Sequence, residues 1–296
     1  MKVCILPYMT QKHEKIEYKL KTLLKILLGS YWYEFWISFF RLGYPPNIKS
    51  PRTFNEKILH RKLFDFNPTF PLLADKIAAR SIVEERVGSQ YLTQLYWVGE
   101  ETCEIVLDHL PQRFVIKASH GSGKDFIIFI KNKDEIRLSD LQNRCFGMLN
   151  KPYGLTTNEW WYDKVPRRLL FEEFLWDQET QIPLDYKFFA FHGKVHFIQV
   201  DYDRFINHTR TFYDCNWQPQ PFILKYKGGK VIERPHCLSE MICVAETLAN
   251  GYDFLRIDLY LVNKIRIVIG EITLAPGAGR EKFDPPIWDH RLGLLW

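Results

Sequence analysis

Residues 251–279, GYDFLRIDLYLVNKIRIVIGEITLAPGAG, decide the fold. Positions 254–262 and 265–274 are rich in β-branched and apolar residues, and Asn263-Lys264 supplies a polar break between them, so the stretch reads as a β-hairpin. With a two- or four-residue loop, Asp258 lies opposite Ile269 and Arg256 opposite Glu271. Side chains alternate along a strand, so Arg256, Asp258, Glu271 and Thr273 share one face. Asp258 and Glu271 are then diagonal neighbours, roughly 7–8 Å apart at Cα, close enough to hold hard cations between them. A three- or five-residue loop breaks this register. The competing reading is a half-exposed strand face that simply carries charges, and the apolar flanks argue against it.

The composition bounds what surrounds this hairpin. A chain of 296 residues, 46% hydrophobic, can bury a sizeable core in two or three lobes. Its net charge of +5 suits an anionic small substrate or an acidic membrane surface and is too weak to argue for nucleic acid. The six cysteines, at 4, 103, 145, 215, 237 and 243, form no CxxC pair, which fits reduced thiols in a cytosolic protein. Residues 1–10 lack the layout of a secretory signal, and the apolar run 26–40, interrupted by Glu34, is too short to span a bilayer, so a cytoplasmic protein is expected.

Upstream, residues 11–28 have helical periodicity with Lys12, Lys15, Lys19 and Lys25 among Leu and Ile, and the strongly aromatic SYWYEFWISFF follows. Such a basic, aromatic leader (11–40) suits either peripheral contact with the inner face of a membrane or a helical pair packed on the main domain. Thr53-Phe-Asn-Glu56 is a capping-box pattern opening another helix. A boundary near residue 70 divides an N-terminal helical segment, 1–70, from an α+β domain, 71–296. That domain begins with an amphipathic helix at 74–87.

Two strands, RFVIKAS at 113–119 and FIIFIK at 126–131, are joined by His120-Gly-Ser-Gly-Lys124. Gly121 and Gly123 free the loop backbone to approach a phosphate, with Ser122 between them and Lys117 just before, although GSG is also an ordinary hairpin turn. LLFEEFL at 169–175 places two carboxylates in an apolar strand, and a second hairpin at 186–200 carries Lys187. The following stretch contains Asp203, Arg204, His208 and Arg210, whose spacing fits a polar substrate pocket better than a zinc site; each of them equally suits plain surface charge.

Three separated signals stand in order: Asp75-Lys76, FVIKASHGSG at 114–123, and RID…GEITLAPG at 256–277. The series resembles the ATP-grasp superfamily, which includes D-alanine–D-alanine ligases. DYKFFAFHGK, DYDRFINHTRTFYD and GEITLAPGAG look most similar to its TupA-like branch, named for the teichuronopeptide biosynthesis protein. The resemblance covers roughly residues 74–290. It implies an ATP-grasp fold of two clasping lobes with antiparallel sheets, with a lid subdomain at about 111–175. It implies that Lys76 and Lys117 contact ATP phosphates, that Gly121–Gly123 forms the flexible lid, and that Glu172, Glu173, Phe174 and Leu175 line the adenine and ribose pocket. Lys187 joins this cofactor set. Asp258 and Glu271 match the Mg²⁺ ligands. Many superfamily members carry Asn where this chain has Thr273, a weaker, neutral ligand. Arg256 matches the arginine that stabilises the charged intermediate of acyl transfer.

The implied chemistry is ATP-dependent carboxylate–amine ligation through an acyl phosphate, in assembly of a bacterial surface polysaccharide or teichuronopeptide. Asp203, Arg204, His208, Arg210 and the backbone of Gly277 are the expected substrate contacts. Two alternatives remain open: a glycosyltransferase of the same pathway, which calls for a doubly wound α/β domain, and a non-catalytic ATP-binding scaffold.

Overall fold

The computed structural model describes residues 6–202 and 208–296, with side chains from residue 18 on. In chain order, the helices are α1 (Leu6–Leu42), α2 (Phe54–Phe64), α3 (Phe70–Ala74), α4 (Ala78–Arg86), α5 (Leu138–Asn150), α6 (Leu238–Ala249) and α7 (Ile287–Leu295). Strands β1 (Leu95–Gly99), β2 (Phe114–Ala118), β3 (Ile127–Ile130) and β4 (Leu169–Glu173) form one sheet in the order β1-β4-β2-β3. A second sheet uses β5 (Leu184–Phe191), β6 (Lys194–Tyr202), β7 (Thr209–Tyr213), β9 (Phe254–Val262) and β10 (Arg266–Thr273), ordered β10-β9-β5-β6-β7. The short β8 (Ile223–Leu224) pairs with β11 (Phe283–Asp284).

Every pair of these strands is antiparallel, giving the expected α+β class. The doubly wound domain that a nucleotide-sugar transferase calls for has no counterpart among the described residues.

Each sheet has one apolar face sealed by a helix. In the first, Phe114, Ile116, Ala118, Leu169 and Phe171 pack with Leu141, Cys145 and Met148 of α5. Alternation turns Val115, Lys117, Leu170 and Glu172 to the other side. In the second, α6 packs across β9, β5 and β6 with Met241, Val244 and Leu248 buried. Phe54 and Ile58 of α2 belong to the same core as β5 and β9, although α2 precedes the boundary expected near residue 70. The Thr53–Glu56 capping box forms as expected.

The decisive hairpin departs from its expected register twice. Its loop has three residues, 263–265, with Asn263 and Lys264 at positive φ. A three-residue loop alone would turn Glu271 to the wrong face. A β-bulge at Gly270 inserts one more residue, and the two shifts cancel in parity. Glu271 therefore pairs directly with Asp258, and Thr273 with Arg256, instead of diagonally.

A second correction concerns the helix expected at 74–87. It is broken at Asp75–Ile77 into α3 and α4. Asp75 Oδ1 accepts from the Ile77 N–H at 2.8 Å, its carbonyl accepts from Ala79, and its other oxygen holds Arg168 at 2.8 Å. This Asx turn supplies the break and starts α4. No described helix is long and apolar enough to cross a membrane. Five cysteines, 103, 145, 215, 237 and 243, are free; Cys4 lies outside the described residues.

Candidate active site

The two sheets face each other across a narrow cavity of about 40 Å³. Lys76, Ala79, Arg80 and Val83 close it from α4 and the turn before it; Lys117 comes from β2, Leu170 and Glu172 from β4, and residues 269–272 from β10. Three of the separated sequence signals thus meet at one place.

Lys117 forms an ion pair with Glu172, which also accepts from Thr93 Oγ1 at 2.8 Å and lies 3.7 Å from Arg80. Lys76 donates through Nζ to the carbonyl of Gly121, so it ties the glycine loop to α4. Burial lowers the Lys76 pKa, and neighbouring Lys117 adds to this, while Glu271 partly offsets it. A group whose charge is poorly solvated and already faces another cation gains most from an arriving anion. In the loop, Gly123 has φ 85° with open space beside it, whereas a Cβ on Gly121 would overlap the Phe126 ring. Ser122 hydrogen-bonds Tyr153.

On β9 and β10 the four expected residues do share a face. Arg256 binds Asp258 through Nε and Nη2, both at 2.7 Å, and Nη2 also donates to Thr273 Oγ1 at 3.0 Å. Thr273 in turn donates to Glu271 at 3.2 Å. Lys187, opposite Asp258 on β5, donates to it at 2.7 Å and to Asp185. Burial would raise the Asp258 carboxyl, but Arg256 and Lys187 hold it below the usual carboxylate range. Burial would also weaken the Arg256 cation, and Asp258 with Glu271 more than reverses that.

The donor chemistry of Glu271, Asp258 and Thr273 is all oxygen, which suits a hard cation. Both Asp258 oxygens are engaged by cationic partners, however, and no group of three or more His, Cys, Asp or Glu gathers among the described residues. The fit is therefore to an ion held chiefly by Glu271 that takes further oxygens from phosphate or water, the usual habit of Mg²⁺.

The same sheet face continues past Lys187. Gln199 lies opposite it on β6, and Asp185, Asp201 and Arg210 form the adjoining row across β5, β6 and β7. Gln199 donates to Asp201 at 3.0 Å, and Arg210 Nε to Asp201 at 2.7 Å. Burial opposes the Asp201 charge, but Arg210 and Lys187 bring its pKa to about 2. His208 stacks on Tyr226 with ring centroids 3.7 Å apart. Glu281 pairs with Lys225 at 2.8 Å and reaches within 3.6 Å of Arg210, and it packs against Gly277. Arg210, His208 and Gly277, expected at the substrate, thus gather at one end of this polar face. Asp203 and Arg204 lie outside the described residues.

The structure separates other expected partners. Of 172–175, only Glu172 lines the cavity. Glu173 turns outward and takes a two-pronged contact from Arg266 at 2.6 and 2.8 Å. Phe174 packs edge-on against Phe129, and Leu175 follows the end of β4, half-buried. Lys187 sits between two carboxylates rather than in the cavity. Sequence reading missed Arg80, although it stands four residues beyond Lys76, and Asp185, although it shares Lys187's strand face.

A family profile described as TupA-like ATP-grasp matches residues 56–295. No curated protein sequence matches. Among solved structures, a D-alanine–D-alanine ligase from Bacillus anthracis is 16% identical, with TM-score 0.40, covering 69% of this chain and 57% of that one. An N5-carboxyaminoimidazole synthetase from Staphylococcus aureus complexed with ADP is 11% identical, with TM-score 0.40, covering 68% and 44%. The ATP-grasp ligase PsnB complexed with minimal precursor is 9% identical, with TM-score 0.39, covering 70% and 53%. The chain therefore spans about half the length of these neighbours.

Proposed function

Since the chain belongs to the TupA-like ATP-grasp family, we propose that it is an ATP-dependent carboxylate–amine ligase acting in bacterial surface-polysaccharide or teichuronopeptide assembly. The observation that carries this reading is the convergence of Lys76, Lys117 and Glu271 on one cavity beneath a glycine loop. Two ammonium groups and a carboxylate at a slot between two sheets suit a polyphosphate with its cation.

In this reading Lys76 and Lys117 bind the ATP phosphates, and Gly121, Ser122 and Gly123 close over them. Arrival of phosphate would draw Lys117 from Glu172 and Lys76 from the Gly121 carbonyl. Glu271 and Thr273 would hold Mg²⁺, and Asp258 would join them only if Arg256 or Lys187 released an oxygen. The ion, when bound, neutralises phosphate charge. The acceptor carboxylate takes the γ-phosphoryl group with departure of ADP; the amine then displaces phosphate, forms the amide bond and sheds a proton. Arg256, held by Asp258 and Thr273, faces the oxyanion of that second step, and the Gly277 backbone lies by the acceptor end. Arg210 and His208, with Asp203 and Arg204, orient the acceptor. The protein acts at the cytoplasmic side, and peripheral contact of residues 11–40 with the inner face of the membrane belongs to the same reading.

A screen of paired uronates and amino acids for Mg²⁺-dependent ADP release tests this. Turnover that needs carboxylate and amine together supports it. The second reading, a non-catalytic ATP-binding scaffold, draws on the engagement of Asp258 by Arg256 and Lys187. ATP binding without turnover across the screen would favour it.

A further inference from the structure

Helix α1 is amphipathic the wrong way round for a helix packed on a globular body. Gly29, with φ 73° and ψ 162°, divides it. In the half before Gly29, Tyr18, Lys21, Thr22 and Lys25 follow a three-and-four spacing and are the partly buried positions, and Lys25 Nζ donates to the Leu155 carbonyl at 2.6 Å. Among the described side chains, the outward positions are Lys19 and six apolar residues, Leu20, Leu23, Leu24, Ile26, Leu27 and Leu28, with Ile26 73% and Leu27 71% exposed. A surface helix ordinarily buries such a stripe and presents its lysines to water. Beyond Gly29 the pattern continues: Trp32, Trp36 and Phe40 make an exposed stripe at i, i+4, i+8, and Phe40 is 76% exposed. Single exposed apolar residues are ordinary; six exposed in the nine residues before Gly29, followed by three at helical spacing after it, make an interaction surface.

Charge identifies what meets it. Residues 1–52 carry nine Lys and Arg against three acidic residues, a balance of +6, while the whole chain has +5. The rest of the molecule, with 31 basic and 32 acidic residues, is close to neutral. A second copy would bring the same positive segment against this one and be repelled. An anionic lipid surface offers an apolar phase to the exposed leucines and an opposite charge to the exposed Lys19, Arg41, Lys49 and Arg52. Tryptophan is the side chain that settles at a headgroup boundary.

We infer that α1 lies in the plane of an anionic bilayer, its Leu20–Leu28 and Trp32–Phe40 faces in the acyl boundary and its other side on the protein. This deepens the membrane contact of the proposed function and rests on no step of the ATP chemistry. The far side of the helix shows how docking is transmitted. Glu34, fully buried, accepts from Lys62 at 2.8 Å, from Arg280 through two nitrogens at 2.8 Å, and from Asn158 at 2.8 Å. Lys62 also donates to the Ala278 carbonyl at 2.6 Å. The helix is therefore keyed to the 276–280 loop. A helix is about 10–12 Å across, so that loop stands roughly one helix diameter above the acyl boundary.

The test is co-sedimentation of the full chain with phosphatidylcholine vesicles and with phosphatidylcholine–phosphatidylglycerol vesicles. The anionic vesicles should bind about a hundredfold more tightly. Leu23→Glu with Leu27→Glu, both at exposed positions, should lower that binding by about a hundredfold while ATP turnover without vesicles stays unchanged. Turnover is scored separately, so loss of the ligase reading and loss of the docking surface are told apart. A chain that stays in the supernatant with both vesicle types overturns the inference. So does a dimer in sedimentation velocity that the double substitution dissolves.

Discussion

Glu271 stands directly across the β9–β10 ladder from Asp258. Two one-residue departures, the loop at 263–265 and the bulge at Gly270, put it there. Gly270 also lines the cavity, and a Cβ on it would sit 2.7 Å from the Tyr260 ring. Gly270→Val should therefore crowd the cavity between the sheets. ATP affinity is expected to fall by about tenfold or more, at a stability cost of about 1–3 kcal/mol. Calorimetric titration alongside thermal unfolding separates the two, and an unchanged affinity would place the nucleotide elsewhere.

Glu172 holds Lys117 and accepts from Thr93 inside the cavity wall. Glu172→Ala frees the lysine but leaves Thr93 Oγ1 without its acceptor and takes away the carboxylate 3.7 Å from Arg80. The expected result is a loss of about 1–3 kcal/mol in stability, together with a changed KM for ATP. A KM equal to that of the parent would mean the pair does not shape the phosphate site.

Lys187 lies between Asp185 and Asp258 and is 7% exposed. Replacing it by Met leaves two buried carboxylates short of a cation, which should cost about 3–5 kcal/mol in urea unfolding. A loss below about 1 kcal/mol, the value of an exposed pair, would show that the pairing is not structural.

Glu34 is fully buried, and Lys62 and Arg280 overcome the effect of burial to bring its pKa to about 2, from 4.5. The folded state thus holds the proton less tightly than the unfolded chain. The resulting stabilisation, about 3 kcal/mol, is complete above pH 4.5 and disappears as pH falls toward 2. Glu34→Gln should be destabilised at pH 7 and should flatten the acid limb of stability against pH. An acid limb parallel to the parent's would contradict the assignment.

Much of the site was legible because it is local. Strand alternation put Arg256 with Asp258 and Glu271 with Thr273, each pair on one face of its own strand, and the VIKASHGSG pattern placed Lys117 beside its glycine loop. That the two pairs share a face rests on the three-residue loop and the Gly270 bulge cancelling, which alternation did not foresee. The parts that were not legible depend on distant contacts. Pairing of β5 with β9 brings Lys187 to Asp258, and the order β9-β5-β6-β7 brings Arg210 into the adjoining row with Asp185 and Asp201. Spacing along the chain carries no information about that order. Asp75 interrupts an apparently continuous helical pattern because Arg168 and the Ser119 carbonyl meet the turn. Glu34 looked like a mere interruption of an apolar run, yet it is the buried anchor of α1.

The most direct test of the ligase account is ADP release by Glu271→Gln beside the parent chain, with Mg²⁺, an acceptor carboxylate and an amine supplied together. Glu271 offers the carboxylate best placed for the ion, since both oxygens of Asp258 are engaged. The account predicts ADP release by the parent only with all three present, and a fall of about a hundredfold or more in the variant with its unfolding transition unmoved. A variant that releases ADP at the parent rate would contradict it.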